Sequence, residues 1–83
     1  MYAQTITGIV VSEDGPLPGA TVQVKDTDRG TSTDFDGNYS IEASSGDVLV
    51  ISFVGFATQE IAVGDQDQIN VTLAEILLLT KLL

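Results

Sequence analysis

Apolar residues at every second position, recurring in short runs from Thr5 to Leu73, constrain this chain more than any other feature. Successive side chains of a pleated strand point to opposite faces, so this spacing buries one face and wets the other. Helical periodicity is nearly missing before residue 74. The alternation predicts strands at about Thr5–Val11, Ala20–Lys25, Gly30–Thr33, Asn38–Ala43, Val48–Val54, Thr58–Val63 and Gln68–Leu73. No stretch between them is long enough for a crossover helix. The expected fold is therefore all-β, a seven-stranded antiparallel β-sandwich of Greek-key type over residues 4–73, followed by an apolar tail over residues 74–83.

The punctuation between the runs supports this reading. Gly15, Pro16, Pro18 and Gly19 form a turn in which the prolines fix φ and the glycines admit backbone angles other residues resist, delivering the chain into the strand that starts at Ala20. Asp36-Gly37 carries the signature of a type I′ hairpin, with a longer loop starting at Asp34 as the alternative. Gly8, Gly19, Gly30, Gly37 and Gly55 are expected to be the glycines least tolerant of a side chain. In Val48–Val54 nearly every position is apolar, which predicts a central strand covered on both faces, whereas Thr5–Val11 alternates more cleanly and should have one wet face.

Composition excludes several functions. Twelve acidic against three basic residues give a formal net charge of −9, which repels phosphate backbones, so nucleic acid is not an expected partner. With neither histidine nor cysteine in 83 residues, the common transition-metal sets and the Ser-His and Cys-His nucleophile pairs cannot be assembled. The longest apolar run, Ile76 to Leu79, falls far short of the ~20 residues of a membrane-spanning helix. Nothing in the sequence calls for a cofactor.

Three blocks, Thr7-Gly8-Ile9-Val10, Gly15 through Val22, and Gly30 through Ile41, followed by Gly46 through Phe56, are similar in order and spacing to the carboxypeptidase-regulatory-like domain. The chain most resembles the copy at the N-terminus of SusC/RagA-type TonB-dependent outer-membrane receptors of Bacteroidetes. The resemblance, over about residues 4 to 73, implies a transthyretin-like (prealbumin-like) sandwich on the periplasmic side of the outer membrane, and a protein partner or the parent receptor polypeptide as its contact. Ala3-Gln4-Thr5 looks like the flank of a signal-peptidase site. Where such receptors continue into a plug and barrel, Leu73-Ala74-Glu75 runs into a leucine-rich stretch, so transport is not expected of this polypeptide.

Asp34, Asp36 and Asn38 have the close oxygen spacing of a calcium loop, but aligning Gly37 with that loop's glycine places Ala43 at the bidentate position, and an acidic turn is the better reading. Asp34 with Asp36, or Asp26 with Asp28, cannot flank a sugar from opposite sides as glycoside hydrolysis requires. Tyr39 and Phe53 are expected in the core and Phe56 at the surface, where a glycan is the alternative ligand. Lys25 and Arg29 should pair with nearby acids. Ile76, Leu77, Leu78, Leu79, Leu82 and Leu83 are candidates for packing on the sandwich or for homo-oligomer contacts. The sequence thus reads as a non-catalytic interaction module working through sheet edges and the tail, with a carbohydrate-binding accessory domain as the alternative.

Overall fold

In the computed structural model of the chain, which describes residues 3–76, the alternating runs form eight strands. They are β1 (Ala3–Ser12), β2 (Gly15–Pro16), β3 (Thr21–Val24), β4 (Gly30–Ser32), β5 (Asn38–Ser44), β6 (Val48–Ser52), β7 (Gln59–Ala62) and β8 (Val71–Thr72). Every expected segment contains a strand. The additional one, β2, is a short pairing inside the Gly15–Gly19 turn, where Val11 faces Pro16.

Two sheets make an all-β sandwich. In the first, β5 and then β2 lie along one side of β1, both antiparallel to it, and β8 lies along its other side. The second has the order β4-β3-β6-β7, antiparallel throughout. Among the named strands, β1 with β8 is the one parallel pair, Val10 beside Val71. Parallel neighbours need a long connection, and between the first and last strands the rest of the domain supplies it.

The sequence-based type I′ hairpin at Asp36-Gly37 does not form, because β4 pairs with β3 and β5 pairs with β1 in the other sheet. Gly37 has φ of +82°, while Asp26 is the one non-glycine residue with positive φ among those described, so Asp36 lacks the angle a type I′ turn demands. The segment is instead a loop from Asp34 that carries the chain between sheets, the alternative the sequence left open.

Burial follows the alternation. On β5, Tyr39, Ile41 and Ala43 point inward while Asn38, Ser40 and Glu42 are exposed. Ile6 and Val10 of β1, Val22 of β3, and Leu49 and Ile51 of β6 are fully buried between the sheets. β6 is central in its sheet as expected, but Val48 and Val50 are only partly covered, since among the described residues no second layer packs on that outer face. β1 has the wet face predicted for it, with Thr5 and Thr7 exposed.

Strand direction sorts the connections into two groups. The turn end holds the β3–β4 turn around Asp26 and the β5–β6 turn around Gly46, next to the Ala3–Ser44 and Val48–Ala62 pairs. The loop end collects residues 13–20, 33–37, 53–57 and 73–76, beyond the Ile9–Asn38 and Thr21–Ser52 pairs.

Candidate functional site

At the loop end, Thr33 is a polar side chain on the buried side of the strand path, and it locks two loops together. Its hydroxyl donates to the Leu17 carbonyl and accepts from the Ala20 amide, while its backbone amide donates to Ala20 and its carbonyl accepts from Gly19. A buried hydroxyl satisfied on both sides fixes its neighbours, since any displacement strands a polar atom away from water. Sequence reasoning missed this residue. The signal was a threonine at an inward position of the alternation, immediately before a turn.

Asp34 sets the next turn. Its Oδ1 accepts from the amides of Asp36 and Asn38, both at 2.9 Å, and its own amide donates to the Asn38 carbonyl at 3.0 Å. This is local Asx chemistry through one carboxylate oxygen, as the acidic-turn reading expects. Among the described residues no group of three or more acidic, histidine or cysteine side chains is placed to hold a metal. Gly37 closes the turn, donating to the Asp34 carbonyl at 3.0 Å and accepting from Val10 at 2.8 Å.

Held between these bonds, Phe35 projects from the tip of the loop with 94% of its surface exposed. Val54, in the β6–β7 loop, is 92% exposed. Shallow depressions adjoin both: Pro18, Gly19, Thr33, Asp34 and Phe35 line one, and Gly19, Thr21, Ser52, Phe53 and Val54 line the other. Gly19 is common to both, so Phe35 and Val54 stand on either side of it. Phe35 was passed over as part of an acidic turn, although a large apolar residue between two aspartates is itself a signal.

Phe56, expected at the surface, is partly buried: its ring meets Phe53 at 5.7 Å between centroids, and both pack against the core. Phe53 is likewise at the core margin rather than inside it. The Phe56 backbone bridges Glu75, Ala57 donates to Ala74, and Ile76 donates to Gly55, which fastens residues 74–76 to the loop end. Of the residues considered for self-association, Ile76 is about half exposed, and Leu77, Leu78, Leu79, Leu82 and Leu83 lie outside the described residues.

Tyr39 is in the core as expected, and Gly8 explains how. The two face each other across β1 and β5, and the Tyr39 hydroxyl donates to the Ile69 carbonyl at 2.6 Å, on the far side of β1. A Cβ on Gly8 would run into that same carbonyl and come within 2.9 Å of the tyrosine ring. Gly8 is thus required for close approach rather than for positive φ. Burial pushes the Tyr39 phenol up from 10.0 to about 12. Of the turn glycines singled out, Gly15, Gly19, Gly37 and Gly55 have positive φ and Gly30 does not.

The turn end is different in kind. Lys25 reaches Glu60 at 3.1 Å and the Arg29 guanidinium donates to the Glu42 carbonyl at 3.3 Å. Across the outer face of the first sheet, Thr7, Ile9, Asn38, Gln68 and Asn70 line an open groove whose wall also includes Gly8 and the buried Tyr39. The aspartates proposed as pairs, Asp26 with Asp28 and Asp34 with Asp36, sit exposed on their turns.

Comparison with known proteins places these features in context. The CarboxypepD_reg-like domain family matches residues 6–81. TonB-dependent receptor P26 of Formosa agariphila is 53% identical over 73 residues, 88% of this chain, and TonB-dependent receptor SusC of Bacteroides thetaiotaomicron is 50% identical over 68 residues, 78% of it. The chain spans only 7% of the length of either receptor. A similar fold occurs in an N-terminal interface mutant of a type II cohesin–X-dockerin complex from Acetivibrio cellulolyticus, with TM-score 0.73 and 19% identity over 86% of this chain and 57% of that one. A C-terminal interface mutant of the same complex gives TM-score 0.65 and 22% identity, over 82% and 51%. At such identities the likeness concerns the fold alone.

Proposed function

Because the chain belongs to the CarboxypepD_reg-like domain family, we propose that it is a non-catalytic interaction module of a TonB-dependent receptor, placed on the periplasmic side of the outer membrane. The observation that carries this reading is the loop end, where Phe35 and Val54 are almost wholly exposed, the first on a loop held by Thr33 and Asp34 and the second on a loop tied by the Phe56–Phe53 and Ile76–Gly55 backbone bonds. Large apolar side chains on a preorganised frame are what binding hot spots require, because little conformational freedom remains to be lost on docking.

Docking through the loop end is better supported than docking through sheet edges. On one flank Gln59 donates to the Thr72 carbonyl and Ala57 to Ala74, and on the other Arg29 covers the Glu42 carbonyl, so backbone groups an added strand would use are already engaged. The carbohydrate reading has less support still: Tyr39 is internal and Phe53 and Phe56 are turned to each other, which leaves Phe35 as a single exposed ring among the described residues rather than a platform of several.

A photo-crosslinking residue at position 35 of the receptor that carries this domain tests the proposal. Expected is a crosslink to a partner protein or to another part of the receptor, with the same probe at position 28, on the turn end, giving none. Equal yields at both positions, or no product at 35, would overturn it.

A further inference from the structure

The loop end also carries a charge pattern that restricts what can sit on it. Asp34 and Asp36 flank Phe35; Gly37 abuts Pro16 at the base of the Glu13-Asp14 turn; Glu13 and Glu75 line a common depression; and Glu75 bridges Phe56, beside the Val54 loop. Acidic residues therefore share the loop end with the apolar pair. Both cations among the described residues, Lys25 and Arg29, lie at the opposite end, where they are engaged with Glu60 and the Glu42 carbonyl. A second copy presenting this same end would set one group of acidic residues against another, and an anionic lipid surface would meet the same repulsion. Between Phe35 and Val54, Gly19 has no side chain and a Cβ built there would meet nothing within 4 Å, so the depression beside Phe35 and the one beside Val54 meet over open space at Gly19.

Resting on the docking reading above, we infer that the occupant is a cationic protein segment that seats an apolar side chain over Gly19, between Phe35 and Val54, and directs flanking lysine or arginine residues to Asp36, Glu13 and Asp14. The apolar contact supplies most of the affinity and the charges supply orientation and rate of encounter.

The test uses the full 83-residue chain, isotope-labelled for amide NMR, with three synthetic peptides of equal length that alternate leucine with lysine, leucine with glutamate, and serine with lysine. Only the leucine–lysine peptide should shift the amides of Gly19, Phe35, Asp36 and Val54. Phe35→Ser should weaken it roughly tenfold and Asp36→Asn roughly twofold. Raising salt from ~50 to ~500 mM should weaken it several-fold. Equal binding of the glutamate peptide, shifts centred on residues 25–29, or full affinity in Phe35→Ser overturns the inference. So does a doubled mass in sedimentation that Phe35→Ser abolishes, which would assign the face to a second copy. If the peptides fail while the position-35 crosslink forms, docking at the loop end stands and the partner chemistry alone falls.

Discussion

Lys25 and Arg29 at the turn end reach acceptors within the domain, whereas Phe35 and Val54 at the loop end stand in solvent, yet both ends are built with the same local chemistry. Asp47 accepts from the Ser44 amide at 2.9 Å in the β5–β6 turn, much as Asp34 accepts from Asp36 and Asn38, and Gly46 and Gly37 both have positive φ. A well-made turn is therefore no mark of function in this molecule. What separates the ends is the residue each turn displays, and whether the cost of displaying it is offset by a contact inside the domain.

The largest expected effect comes from pressing this comparison at the two glycines. Gly46 has φ of +95° and open space where a Cβ would go, while Gly37 has φ of +82° and a Cβ there would lie 2.6 Å from the Val10 carbonyl. Gly46→Ala should cost about 1 kcal/mol, the penalty of an alanine at positive φ. Gly37→Ala adds a backbone collision and disturbs the Val10–Gly37 hydrogen bond, so a loss of at least ~3 kcal/mol is expected. Urea denaturation of the two variants measures both. Equal losses would mean that the loop-end turn is not tied to β1 as described.

Next in size is a pH effect that originates at Tyr39, in the half of the sandwich near the loop end. Tyr39 is neutral in the fold, and burial holds its phenol at about 12 against 10.0 when unfolded. Between those values the unfolded chain releases a proton that the folded chain retains, so stability is complete below pH 10 and falls as pH rises through about 12. The loss should amount to ~1 to 3 kcal/mol, read as a declining urea midpoint across that window. Tyr39→Phe should remove the decline while lowering the starting stability, because the Ile69 carbonyl loses its donor. An unchanged slope in that variant would place the titrating group elsewhere.

These two cases also show what the sequence could and could not reveal. Strand positions were legible because alternation is local: Tyr39, Ile41 and Ala43 read as one buried face before any partner strand is known. The requirement for glycine at position 8 was legible as an identity but not as a cause. Its cause is the passage of Tyr39 across β1 to Ile69, a contact between residues distant in sequence. The Asp36-Gly37 hairpin failed for the same reason. Dipeptide preference sees neighbours, and the choice of β1 over β4 as the partner of β5 was made by burial of the whole β5 face. Phe35 and Thr33 were misjudged in opposite directions, since an apolar residue in a polar turn and a polar residue on an inward position each break the pattern that made the rest readable.

The smallest expected effect is the one that separates display from support most sharply. Phe35 is as exposed in the folded domain as an unfolded chain would leave it, so replacing it removes apolar surface from both states alike and the transfer terms cancel. Phe35→Ser should accordingly shift stability by no more than ~0.5 kcal/mol, and Val54→Ser by a similar amount. Lys25→Met, which breaks a half-exposed ion pair at the turn end, should cost less than ~1 kcal/mol and leave partner binding untouched. The discriminating pattern is therefore crossed: a variant at the loop end that keeps its midpoint and loses its partner, beside one at the turn end that keeps its partner and gives up a little stability. A marked drop in midpoint for Phe35→Ser would mean that the ring packs within the domain, and the loop end would then differ from the turn end only in the kind of contact that holds it together.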